Sequence, residues 1–163
     1  MIFLDLETTG LSPLYDNIVE IAMIRTDSQG KEIETYQSLV NPEKTIPDPV
    51  VAIHGLTNAV LASAPLIKDL LSDILKFIDH QQVWAHNALF DVSLLAREFA
   101  QHGHALPESE ILDTCKLARH VFKKKKIGSI WHPAPMRCFM MIQQTKWFVR
   151  IPVFNHFNSH IGY

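Results

Sequence analysis

Two carboxylates interrupt the apolar opening of this chain. In MIFLDLETTG, Asp5 and Glu7 stand two residues apart in a run that otherwise alternates like a β-strand. Both therefore project from one strand face, about 7 Å apart, with flexible side chains able to converge. Two like charges beside a core lose hydration and repel, so one keeps its proton unless a cation lies between them. A hard divalent cation such as Mg²⁺ or Mn²⁺ suits the pair because it takes oxygen ligands. A solvent-facing strand accommodates two acids as well, and on the pair alone that plain reading is preferred. A third acid shifts the balance. In WAHNALFDVSLL, Asp91 falls just inside a helix that follows a strand, where the helix dipole favours an acid and where open sheets gather their sites.

The elements that would carry these acids follow from periodicity. Ile2, Leu4 and Leu6 share one strand face, opposite Phe3, Asp5 and Glu7. NIVEIAMIRTD (17–27) reads as a second strand and KEIETYQSLV (31–40) as a third, joined by the turn SQG into an antiparallel meander. The Pro-rich NPEKTIPDP is loop, and VVAIHGLT a short helical turn ending in a Gly-containing loop. SAPLIKDLLSDILKFIDH (63–80) repeats apolar residues at helical spacing and is the clearest helix. QVWAH is a short strand with Trp84 as core, FDVSLLAREFAQHG (90–103) a second amphipathic helix, and ILDTCKLARHV (111–121) a third. Strand and helix in alternation imply a mixed sheet covered by helices, an α/β fold.

Composition narrows the classes. The chain has 163 residues, 47% hydrophobic and 20% charged, which fits one globular domain and excludes disordered or collagen-like chains. Cys115 and Cys138 offer neither a disulfide framework nor metal-ligand spacing, so reduced thiols and a cytoplasmic location are expected. No export signal or membrane-spanning run is visible. The formal charge of -2 is unevenly spread: residues 1–119 carry 8 basic and 17 acidic side chains, whereas residues 120–163 carry 7 basic and no acidic ones.

Five segments in order, FLDLETTGL, NIVEIAMI, NPEKTIPDPVVAIHGLT, HNALFDVSLL and DTCKLAR, resemble the DEDD superfamily of 3′ to 5′ exonucleases, in the DnaQ-like branch that includes the proofreading epsilon subunit of DNA polymerase III. The resemblance runs from residue 1 to about residue 120. It implies a ribonuclease H-like mixed sheet flanked by helices, and hydrolysis of the 3′-terminal phosphodiester with two ions, Mg²⁺ or Mn²⁺. Asp5 then matches the aspartate bridging both metals, Glu7 the ligand of the first and Asp91 the aspartate serving the second. Thr8 matches a position near the terminal nucleotide, but is equally a turn residue before Gly10. His54 lies in the segment that approaches substrate, where a loop hydrogen-bonding role is the alternative. Asn87 either contacts the site or braces the turn that carries Asp91. The partners implied are a single-stranded DNA or RNA 3′ end and a DNA polymerase subunit; nothing in the sequence separates DNA from RNA.

The pattern is incomplete. The family also has a fourth carboxylate and, five residues before it, a general-base histidine, yet after Asp113 there is no Asp or Glu. His120, His132, His156 and His160 cannot be assigned that role, and Asp113 is expected to be structural. Losing a positioned base costs about 10²- to 10⁴-fold in rate, so little or no activity is expected of this chain. The exonuclease domain is accordingly read as residues 1–120, incomplete at its C-terminal side. Residues 121–163 read as an atypical basic tail, translated out of frame after the Lys123–Lys126 run. A genuine basic tail that binds phosphates is the alternative. Two competing readings stand beside the enzyme: a noncatalytic degenerate domain that binds nucleic acid or a polymerase, and a truncated product with no function of its own.

Overall fold

The structure is a computed structural model, and it describes residues 1–121. Strand β1 (Ile2–Thr8) is central, because its even-numbered apolar residues are buried on one face. It pairs antiparallel with β2 (Ile18–Thr26), which pairs antiparallel with β3 (Glu32–Leu39). The β2–β3 turn closes where Asp27 Oδ1 accepts the N–H groups of Gln29 and Lys31, and Gly30 takes φ 80°. On the other side β1 pairs parallel with β4 (Val83–Ala85), and β4 with β5 (Ile111–Asp113), giving the order β3-β2-β1-β4-β5. The mixed sheet expected from the sequence is formed.

Helix α1 (Asp48–His54) starts with Pro49 in its first turn and stops at Gly55, whose φ of 78° closes the end in the left-handed region. The four-residue α2 (Asn58–Leu61) follows it. Helices α3 (Ile67–Ile78) and α4 (Leu89–Gln101) cover one face of the sheet. There Leu71, Ile74, Phe77, Leu94, Leu95 and Phe99 pack against Ile2, Leu4, Leu6, Ile21 and Met23. Helix α5 (Thr114–Val121) ends the described part. Among the described residues no helix is long and apolar enough to cross a membrane.

Three expectations need correction. Residues 63–66 do not join α3: Pro65 disfavours helix in the residue before it, and Leu66 is extended, φ -76° and ψ 152°, its N–H held by Asp69 Oδ2. Ile111–Asp113 is a strand rather than the start of a helix, because three residues pair with β4. Trp84 is half-buried rather than core; it stacks on Phe3 at 6.4 Å between ring centroids, on the sheet face away from α3 and α4. The readings made for residues 122–163 lie outside the described residues.

Candidate active site

Asp5 and Glu7 lie on the β1 face opposite the main core, as their odd numbering requires. Asp5 is half-buried and Glu7 is 8% exposed. Asp91, in the first turn of α4, is 4% exposed, and its Oδ1 accepts the N–H of Leu6 at 3.2 Å. That bond anchors the helix carboxylate to the strand between the two strand carboxylates. Segments 85 positions apart in sequence thus meet at one place.

The three acids share one electrostatic environment. Burial, followed by the charges of Asp91 and Glu20, holds the Asp5 carboxyl well above the usual carboxylate range. Burial first, then Asp5, Glu20 and Asp91, pushes Glu7 up to about 9. Asp91 is pushed up to about 7, chiefly by burial, against backbone N–H groups that favour its charged form. Asp5 Oδ2 and Glu7 Oε1 are buried without a hydrogen-bond partner.

Those two orphaned oxygens test whether a cation fits. A buried carboxylate without donors either keeps its proton or takes a positive charge. The donors here are all carboxylate oxygens, the set that hard divalent ions prefer. Glu7 and Glu20 also face each other directly across the β1–β2 register, an arrangement unfavourable between like charges. The chemistry therefore fits a hard dication. Among the described residues, no group of three or more His, Cys, Asp and Glu side chains is already arranged as a metal site.

The softer candidates are distributed unevenly. Thr8 is buried at the end of β1 and its hydroxyl donates to the Gly10 carbonyl, a turn bond. His54 is 4% exposed at the end of α1, and its Nδ1 accepts the Leu56 N–H at 3.0 Å. Burial, the largest influence, lowers its pKa; the Glu20 carboxylate and the Thr8 carbonyl pull the other way. Asn87 is exposed with φ 62°, its N–H donating to Asp113 Oδ1 and its carbonyl accepting from Phe90. Its backbone makes the turn into α4. Asp113 is structural, as expected: its Oδ1 also accepts the N–H groups of Cys115 and Lys116 at the start of α5.

Sequence reading missed three participants. Glu20 looks like one charge in an apolar strand, and only the register reveals it beside Glu7. Asp16 organises the loop after β1, accepting from Thr9 Oγ1, Ser12 N–H and Lys44 Nζ. Arg97 reaches from α4 to the carbonyls of Pro13 and Asp16 at 2.7 and 2.6 Å. The two segments that carry the carboxylates also expose apolar side chains: Leu11, Leu14 and Tyr15 after β1, and Leu89 at the start of α4.

Comparison with known proteins gives a consistent picture. The pattern of a family described as Exonuclease matches residues 2–134. A DNA polymerase III of PolC type from Caldanaerobacter subterraneus is 34% identical over 122 residues, covering 75% of this chain and 9% of that protein. The DNA polymerase III subunit epsilon of Buchnera aphidicola is 34% identical over 138 residues, covering 77% of this chain and 58% of that protein. The chain thus spans under a tenth of the PolC-type relative and somewhat over half of the epsilon subunit. Among solved structures, a product-bound exonuclease I superposes with a TM-score of 0.70 at 20% identity, over 82% of this chain and 34% of that one.

Proposed function

Because this chain belongs to the Exonuclease family, we propose that it derives from a metal-dependent 3′ to 5′ exonuclease of the DnaQ-like type, acting on single-stranded nucleic-acid ends. The observation that carries the proposal is the anchoring of Asp91 to Leu6, between Asp5 and Glu7, with two buried carboxylate oxygens left without donors. Asp5, Glu7 and Asp91 would hold Mg²⁺ or Mn²⁺. When bound, such a pair of dications supplies an activated water and stabilises the leaving 3′ oxygen. The chain's own residues do the positioning. Leu6 N–H fixes Asp91, and the Asp113 carboxylate fixes the Asn87 turn from which α4 starts. The exposed Leu11, Leu14, Tyr15 and Leu89 offer apolar surface suited to unstacked bases.

A solved complex of E. coli exonuclease I with single-stranded DNA and the polymerase III relatives support a single-stranded end and a polymerase assembly as partners. Lack of any acid after Asp113 leaves this chain without the family's fourth carboxylate, so we propose that its turnover is slow or nil. The decisive assay incubates purified protein with a 5′-labelled single strand in Mg²⁺ or Mn²⁺. Degradation at a proofreading rate that Asp5→Ala abolishes would refute the low-activity proposal. Metal-dependent binding without degradation would support a noncatalytic module instead. The division into residues 1–120 and an out-of-frame tail is a separate proposal. It is tested by sequencing the codons of Lys123–Lys126 and translating the downstream frames for a His followed five residues later by Asp.

A further inference from the structure

The loop between β1 and β2 exposes three large apolar side chains close together: Leu11 is 70% exposed, Leu14 74% and Tyr15 78%. A loop that only connects two strands is polar and mobile, whereas this one is apolar at its tip and closed by hydrogen bonds. At its base Thr9 N–H donates to the Asn17 carbonyl and Asn17 N–H to Thr9 Oγ1. Inside it, the N–H groups of Tyr15 and Asp16 donate to the Ser12 carbonyl, and the Asp16 carboxylate accepts from Ser12 N–H and Thr9 Oγ1. The loop is a preformed unit, and preformed apolar surface turned to water marks a place where something docks.

Internal bonds fix the shape of the loop but not its place. Behind it lies an open cavity of about 340 Å³, lined among others by Leu14, Asn17, Arg97, Glu98 and Gln101, so side-chain packing does not seat the loop on that side. Arg97 holds it instead. Its Nη1 donates to the Pro13 carbonyl at 2.7 Å and its Nη2 to the Asp16 carbonyl at 2.6 Å. The guanidinium is a planar fork of donors, so gripping two carbonyls at once fixes both the distance and the angle of the loop relative to α4. Glu98 Oε1 accepts from the same Nη2 at 2.6 Å and balances the charge. Arg97 Nε stays buried without a partner; the side chain forgoes one bond in the pose that reaches both carbonyls. Lys44 adds a more exposed bond, from Nζ to the Tyr15 carbonyl at 2.8 Å.

We propose that Arg97 is a positioning residue: gripping the Pro13 and Asp16 carbonyls from α4, the helix that also carries Asp91, it sets Leu14 and Tyr15 at a fixed place relative to the carboxylates and thereby sets the affinity for a single-stranded end. This rests on the exonuclease reading and deepens it. Arg97 acts through the loop, because the bonds it makes go to two main-chain carbonyls and to Glu98.

Arg97→Lys keeps a positive charge beside Glu98 but loses the planar fork. Three measurements on the full chain test the proposal: hydrogen exchange, Mn²⁺ affinity by calorimetry, and binding of a labelled single-stranded oligonucleotide in Mn²⁺. The expected result is faster exchange at the amides of Ser12, Tyr15, Asp16 and Asn17 with core amides unchanged, unchanged Mn²⁺ affinity, and oligonucleotide binding weaker by about tenfold. In a chain already carrying Leu14→Ala and Tyr15→Ala, the same substitution should weaken binding by less than about twofold, because the two changes act on one contact. Arg97→Gln with Glu98→Gln, neutral at both positions, repeats the measurement should lysine disturb the fold. Unchanged loop exchange overturns the proposal, and so does faster exchange with unchanged oligonucleotide binding. An equal loss of binding in both backgrounds, or a parallel fall in Mn²⁺ affinity, overturns it too, and places the action of Arg97 elsewhere than in the loop. Absence of oligonucleotide binding by the unmodified chain counts instead against the exonuclease reading, while the exchange of the loop amides still decides whether Arg97 holds them.

Discussion

Asp5, Glu7 and Asp91 are raised acids, and the sign of their effect on stability follows. Below their ordinary values, 3.8 for Asp and 4.5 for Glu, both folded and unfolded chains hold the protons, and stability is full. As pH rises the unfolded chain ionises first, so the fold loses ground until the folded groups also titrate, about 7 for Asp91 and about 9 for Glu7. Thermal melts in EDTA should therefore fall steadily from about pH 4 to about pH 9, and millimolar Mn²⁺ should flatten the fall, because binding draws on the ionised acids. A melting curve that rises with pH over that range would sink the buried-cluster account. Asp5→Asn sharpens the test. Removing one of the repelling groups should raise the metal-free melting temperature at pH 8 by roughly 2–4 °C, while the stabilisation by Mn²⁺ disappears.

At the scale of elements, α4 and the loop after β1 must keep their relative position for Asp91 to stay beside Leu6. Arg97 makes that link, donating to Pro13 and Asp16 carbonyls and to Glu98 Oε1 at 2.6 Å, with side-chain exposures of 17% and 8% for the ion pair. Arg97→Ala leaves Glu98 buried and unpaired, which costs about 3–5 kcal/mol; urea unfolding should show it as a lower midpoint, and adding Glu98→Gln should recover part. The loop has its own lock. A Cβ at Gly10 would lie 2.5 Å from Asp16 Oδ2, so alanine there displaces the carboxylate that holds Thr9, Ser12 and Lys44. Asp113 fixes a further junction, because its carboxylate caps α5 and holds the Asn87 N–H. Asp113→Ala should cost about 1 kcal/mol, as lost caps do, and hydrogen exchange should quicken at the amides of Asn87, Cys115 and Lys116.

For the whole molecule, what the sequence made legible was what short range decides. Strand alternation put Asp5 and Glu7 on one face, and helical spacing gave α3 and α4, because each pattern repeats within a few residues. Glu20, Arg97 and β5 were illegible because their roles depend on pairing across 13, 81 and 28 residues, between Glu7 and Glu20, Asp16 and Arg97, Val83 and Ile111. One molecular property was visible from the start and leads to the last prediction. Residues 1–119 carry 17 acids against 8 bases, so phosphates are repelled unless a dication bridges them to the carboxylate face. Oligonucleotide affinity should therefore be at least about tenfold higher in millimolar Mn²⁺ than in EDTA. Its decline with added NaCl in Mn²⁺ should be shallow, because few lysines or arginines release counterions. A decline corresponding to three or more phosphate contacts, at about -0.7 in the logarithmic slope per contact, would mean that Lys123–Lys126 and the basic residues beyond do the binding. The acidic face would then be the wrong place to look for the nucleic acid.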